Sequence, residues 1–143
     1  MDAVKRFDQA AANWDANPFR SKLVGDVTAA IAARVPLDGA MRVLDFGCGT
    51  GLLSFSLRPL VGALVGLDTS AGMLAEFEAK LAASGLGGMS AVCGGFDSAA
   101  LEPGFDLVVS SMALHHVEDT AALLAGFYRL LRPGGRIALA DLD

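Results

Sequence analysis

The residues Val43 to Gly51, VLDFGCGTG, join an apolar run, an acid and three glycines at alternate positions. Val43 and Leu44 favour an extended strand. Gly47, Gly49 and Gly51 permit a tight turn into a helix from Leu52, with backbone angles and close approaches that a Cβ would block. A turn of this kind sets backbone amides and the positive end of the helix dipole toward whatever lies above the strand, and the chemistry it serves is binding of a nucleoside or nucleotide. The spacing is not the dinucleotide fingerprint, because Leu52 stands where that pattern needs its third glycine. A second acid, Asp68, ends the apolar run Ala63 to Leu67. It follows the turn by about twenty residues, where a carboxylate at a strand tip can accept both ribose hydroxyls. The alternative role for Asp68 is to cap or turn the chain into the helix near Ser70, although Thr69 or Ser70 can cap without it.

The elements that must carry these residues alternate. Residues 21 to 35 have helical apolar spacing at Leu23, Val24, Val27, Ile31 and Val35 and stop at Pro36. Strands are expected at about 41–45, 63–67, 89–93, 105–110 and 136–141, with helices at about 52–60, 70–84 and 118–131. Turn signals separate them at Gly85-Leu86-Gly87-Gly88, Pro103-Gly104 and Pro133-Gly134-Gly135. Such alternation implies an α/β fold, a doubly wound, Rossmann-like parallel sheet with right-handed crossovers and strands covered on both faces.

Composition narrows the classes. The 143 residues, 53% hydrophobic and 19% charged, suit a single core, here taken as one domain with an amino-terminal helical segment over 1–36 and the sheet over 37–143. The net charge of −5 and the absence of clustered Lys and Arg argue against a nucleic-acid partner. No stretch is long and apolar enough for a membrane span, and MDAVKRFDQAAANWD lacks a signal-peptide core, so a cytoplasmic location is expected. Cys48 and Cys93 then read as reduced thiols. Cys48 lies within the glycine turn with no His near it in sequence, and reads as a small packing residue. No metal site is expected.

The D-x-G-x-G-x-G spacing from Asp45 resembles the first motif of class I S-adenosylmethionine-dependent methyltransferases. FDLVVSSMALHHV (Phe105 to Val117) is similar to that fold's fourth strand and following loop, and LLRPGGRIALAD (Leu130 to Asp141) to its helix end, turn and fifth strand. FDQAAANWD (Phe7 to Asp15) resembles the opening segment of the small-molecule group that includes ubiquinone-biosynthesis and arsenite methyltransferases, with Trp14 in place of the usual Tyr. The resemblance implies five strands in order 3-2-1-4-5 and in-line transfer of a methyl group from S-adenosylmethionine to a small-molecule acceptor, with S-adenosylhomocysteine as product. It implies that Asp45 holds the methionyl ammonium, that Gly47 and Gly49 let the cofactor lie against the backbone, and that Asp68 binds the ribose. Met73 would pack on the adenine face, or else be a core methionine. Phe96 and Asp97 fall where the family often has an acid near the adenine amine, although the usual Gly-Asp pair is Gly94-Gly95-Phe96-Asp97 here. Ser110 would offer its carbonyl to the cofactor's amino group.

His115 and His116 follow the fourth strand, beside the expected methyl donor. His116 is the candidate general base, its unperturbed pKa of about 6.5 lying near working pH; the alternative is that it shapes the loop. The loop lacks the Asn-Pro-Pro-Tyr type of sequence found in methyltransferases of DNA amines or amide nitrogens. The family fold normally adds two further strands beside strand five. Their absence predicts an exposed apolar edge, accounted for by a truncated chain, a covering partner or a homodimer; truncation is favoured. Two other functions compete: a nucleoside-binding or scaffolding module without catalysis, and an NAD-dependent oxidoreductase, disfavoured by Leu52 and by the RPGG turn.

Overall fold

The computed structural model describes residues 3–113 and 117–141. Five strands, β1 (Arg42–Phe46), β2 (Ala63–Asp68), β3 (Met89–Cys93), β4 (Phe105–Ser111) and β5 (Leu131–Ala140), form one parallel sheet in the order β3-β2-β1-β4-β5. The helices are α1 (Ala3–Ala10), α2 (Pro18–Arg34), α3 (Leu52–Leu57), α4 (Ala71–Ser84) and α5 (Thr120–Leu130). A 3-10 turn over Ala11–Ala16 joins α1 to α2. Local chemistry fixes the helix ends. Asn17 accepts the Phe19 amide at 2.9 Å with Pro18 in the first turn of α2, Ser70 accepts the Met73 amide at 3.1 Å to start α4, and Asp119 accepts the Ala122 amide at 2.9 Å to start α5.

The central strands are apolar because both faces are covered. Val43, Leu64, Leu107 and Val109 pack with Val27 and Ile31 of α2 and Leu53 and Leu57 of α3. Leu44, Leu67 and Val108 point the other way, onto Leu123, Phe127 and Leu130 of α5. Alternate residues of one strand therefore enter opposite layers, the pattern a doubly wound sheet demands. Helix α4 adds Phe77, fully buried beside Cys48 and close against Gly66 of β2.

The order of strands is the expected one, and the start of β5 differs from expectation. Phe105 faces Leu131 while Leu107 faces Arg136, so Pro133-Gly134-Gly135 bulges out of a strand that has already begun. Gly134, at φ +82, supplies the left-handed residue such a bulge requires. Among the described residues β5 pairs with β4 alone, and Ile137 and Leu139 are about two-fifths exposed along the sheet edge.

Candidate functional site

The glycine turn runs from β1 into α3 with Gly47, Gly49 and Gly51 all left-handed, at φ +71, +57 and +93. The three glycines serve different neighbours. A Cβ on Gly47 would fall 2.5 Å from Cβ of Ala113, and one on Gly51 would fall 2.6 Å from the Phe77 ring. A Cβ on Gly49 would meet only Sδ of Met73, at 3.8 Å, and would otherwise occupy open space. Beside that space lies a cavity of about 450 Å³ lined by Asp45, Gly47, Gly49, Asp68, Met73 and Gly94, by the Ser111-Met112-Ala113 segment after β4, and by α1, the following turn and α2.

The amides of Gly47, Cys48, Gly49 and Gly51 have acceptors within the protein. Gly47 and Cys48 both donate to the Leu67 carbonyl, at 2.8 and 3.0 Å, Gly51 donates to the Cys48 carbonyl at 2.9 Å, and Gly49 donates to Oδ2 of Asp68 at 2.8 Å. The turn is therefore not the row of ligand-facing donors expected from the glycine pattern. Its amides clamp β1 to the tip of β2. Oδ1 of Asp68 accepts the Ser70 amide at 2.9 Å, so this residue does serve the turn before α4 while Ser70 supplies the helix cap. Each Asp68 oxygen retains acceptor capacity after those bonds.

Asp45 is 2% exposed, and its Oδ2 accepts Ser54 Oγ at 2.6 Å. Burial raises its carboxyl to a pKa of about 7, against the opposing Ser54 bond and with a smaller contribution from the nearby Asp68 charge. Burial and the same two carboxylates push the Cys48 thiol up, which keeps it protonated and fits a packing residue.

Met73 is 2% exposed and also lines the cavity, so a core position and a place in the cavity wall coincide. Ser110 is buried, with Oγ donating to the Phe46 carbonyl at 2.9 Å; the cavity wall begins one residue later, at Ser111. Phe96 and Asp97 are not among the lining residues. The Phe96 ring fills the space above Gly126 of α5, where a Cβ would sit 2.1 Å from it. His115 and His116 lie outside the described residues. Among the described residues no group of three or more His, Cys, Asp or Glu is arranged for a metal ion, and no helix is long and apolar enough to cross a membrane.

The amino-terminal segment is a wall of this cavity. Phe7 and Trp14 meet edge to face at 5.8 Å, and the Arg20 guanidinium lies 3.5 Å from the centroid of the Trp14 ring while donating to the Trp14 carbonyl. Arg20 is the sole cation among the described lining residues. Two acids of this segment reach the opposite lips. Asp8 accepts Ser70 Oγ at 2.5 Å and the Gly72 amide at 2.7 Å, bonds that hold its carboxyl below the usual range. Asp15 accepts Thr50 Oγ1 at 2.5 Å and pairs with Lys80 at 2.8 Å. Asp8 and Asp15 lie within FDQAAANWD and Thr50 within VLDFGCGTG, but the sequence assigned them no role, and Arg20 lies outside both motifs. A signal was present in the doublets Phe7-Asp8 and Trp14-Asp15, aromatic then acid at a spacing of seven, the first on α1 and the second on the 3-10 turn after it.

A 3-2-1-4-5 parallel sheet with an acid and a glycine turn after its first strand and a second acid at its second is the class I methyltransferase architecture. The chain belongs to the methyltransferase-domain family, whose model matches residues 43–135. It is 30% identical over 152 aligned positions to the ubiquinone biosynthesis O-methyltransferase of Thiobacillus denitrificans, covering 98% of this chain and 62% of that protein. It is 34% identical over 141 positions to the biotin biosynthesis bifunctional protein BioCD of Bordetella avium, covering 97% and 30%. Among solved structures, Haemonchus contortus phosphoethanolamine N-methyltransferase 2, in complex with S-adenosyl-L-methionine, superposes with a TM-score of 0.72 at 30% identity, covering 78% of this chain and 27% of that one. The chain spans less than two thirds of the length of the curated relatives it matches.

Proposed function

We propose that the chain binds S-adenosylmethionine in the cavity above β1, β2 and β4 and takes part in methyl transfer to a small, largely apolar acceptor. The observation that carries this reading is the distribution of donors and acceptors around the glycine turn. The amides at 47, 48, 49 and 51 have protein acceptors, and two carboxylates, Asp45 and Asp68, line the same cavity. A phosphate-bearing dinucleotide needs donors at that turn and is repelled by those charges. A nucleoside carrying an amino-acid end needs the reverse, acceptors for ribose hydroxyls and for an ammonium. The residues present fit such a cofactor: the open space at Gly49, Met73 beside it, and both acids within one cavity wall.

In this reading Asp68 accepts the ribose hydroxyls on the oxygen lone pairs left by Gly49 and Ser70. Asp45 faces the ammonium, Arg20 balances the carboxylate of the same amino-acid end, and Met73 lies along the adenine. When bound, S-adenosylmethionine supplies a methyl group already electrophilic on its sulfonium, so the protein's task is alignment rather than covalent help. The acceptor side is formed by Val4, Phe7, Trp14, Phe19, Leu23 and Val24, an apolar and aromatic wall that keeps water from the reacting atoms. Relatives named as O- and N-methyltransferases place oxygen and nitrogen acceptors within the family, and this wall favours an acceptor with few charges. His116 remains the proposed base from its position after β4.

Titration calorimetry tests the reading. S-adenosylhomocysteine is expected to bind and to raise the melting temperature, while NAD does neither. Binding of NAD without any response to the adenosyl ligand would refute it. Turnover on a small-molecule acceptor separates a transferase from a module that holds the cofactor without catalysis.

A further inference from the structure

We infer that Asp8 and Asp15 are positioning residues, which fasten the amino-terminal wall to both lips of the cleft and through Ser70 and Thr50 hold the cofactor-facing backbone in place. The inference rests on the cofactor reading above. Hydrogen bonds run in one line from Asp8 to Ser70 Oγ at 2.5 Å, from the Ser70 amide to Asp68 Oδ1 at 2.9 Å, and from Asp68 Oδ2 to the Gly49 amide at 2.8 Å. Thr50 follows Gly49 directly and donates to Asp15 Oδ1 at 2.5 Å, closing the line back onto the wall. The proposed ribose acid thus sits midway between two carboxylates of one segment. Ser70 and Thr50 are 0% and 1% exposed, so neither hydroxyl has water as a substitute partner.

The packing is as close as the bonding. A Cβ on Gly72 would lie 2.7 Å from Cα and 3.0 Å from the backbone oxygen of Asp8, so backbone meets backbone where α1 crosses the first turn of α4. Asp15 has a second hold through Lys80 of α4. The same segment supplies Phe7, Trp14 and Arg20 to the cavity. Loosening either anchor therefore opens the acceptor wall and releases Asp68 and Gly49 from their set positions, although neither anchor touches the cofactor.

Trp14 is the chain's single tryptophan, so its quenching by acrylamide reports the wall's position. Thr50→Val removes one anchor bond without altering charge, and Gly72→Ala places a Cβ 2.7 Å from Cα and 2.9 Å from Oδ1 of Asp8, displacing α1 together with the other anchor. Each is expected to increase quenching of Trp14 and to raise the S-adenosylhomocysteine Kd about tenfold, the scale of one lost charge-assisted bond. Asp15→Ala, which also releases Lys80, should lose at least as much as Thr50→Val, the double variant should lose no more than Asp15→Ala alone, and Asp15→Asn, which keeps an acceptor for Thr50, should recover part of the affinity. Variants with unchanged Trp14 quenching and Kd within twofold of the starting chain, or losses that add in the double variant, overturn the inference and leave the cofactor reading intact. A starting chain that binds no S-adenosylhomocysteine overturns the cofactor reading, and this inference with it.

Discussion

Raising the pH from 5.5 to 7 should strengthen S-adenosylhomocysteine binding, because Asp45 must lose a proton to face an ammonium. In the folded chain burial lifts this carboxyl from 3.8 to about 7. The folded state therefore carries one more proton than the unfolded state between about pH 4 and 7, and the stability contributed by this group falls as pH rises through that window. A bound ammonium reverses the preference and favours the ionised form, so binding below pH 7 releases the proton. The ligand's own α-amino group stays charged across the range, its usual pKa lying near 8. With a site pKa of about 7, the ionised fraction rises from roughly 3% at pH 5.5 to about half at pH 7, which makes the affinity about fifteenfold greater. Calorimetry in two buffers of different ionisation enthalpy counts the protons released: close to one at pH 5.5 and about half of one at pH 7. Methylthioadenosine, which has the ribose and adenine without the amino-acid end, should show neither the slope nor the release. Ser54→Ala removes the bond that opposes the burial effect and should move the midpoint upward. Equal affinity at both pH values with no proton release, or the same slope for methylthioadenosine, would refute the pairing of Asp45 with the ammonium.

Asp68→Ala should weaken S-adenosylhomocysteine by about 1.5–3 kcal/mol, roughly ten- to hundredfold. It should also lower the melting temperature, since the Gly49 and Ser70 amides lose their acceptor; Asp68→Asn should do less of both, and unchanged affinity in a folded Asp68→Ala chain would confine the residue to the turn. Gly49→Val fills the open space beside Met73 at a left-handed position and should abolish binding in a chain that still folds, whereas Gly51→Ala strikes the Phe77 ring and should reduce thermal stability first; calorimetry and thermal melts separate the two. Along the β5 edge, Ile137→Lys should reduce any concentration-dependent association seen by sedimentation, because a charge on an unpaired strand discourages strand addition.

The sheet was legible in the sequence because its central strands are buried on both faces and so read as continuous apolar runs between glycine and proline punctuation. The start of β5 was not, since Arg132-Pro133-Gly134-Gly135 has the composition of a turn and only its pairing with β4 shows it to be a bulge within a strand. At the site, Asp45, Gly47, Gly49, Asp68 and Met73, to which the resemblance pointed, line one cavity. Phe96 illustrates the opposite case: an aromatic beside an acid looked like a binding pair, but the socket that claims it is Gly126, thirty residues on in a helix with no motif. The occupation of the turn's amides was equally hidden, because Gly47 and Cys48 donate to the carbonyl of Leu67 and Gly49 to the side chain of Asp68, both on another strand. Asp8 and Asp15 stood in a recognisable segment, but their role as anchors was hidden because their partners lie 62, 35 and 65 residues away.

Those separations also set an order of events during synthesis. The segment holding Phe7 and Trp14 is made before its partners, so Asp8 has nothing to grip until Ser70 and Gly72 exist, and Asp15 waits for Lys80 as well as Thr50. Closing loops of that length precedes any reward from the contacts, so the neighbouring strands β1 and β2 with α4 should consolidate before the wall docks. Competence to bind would then await the docking of a segment translated well before the elements it grips.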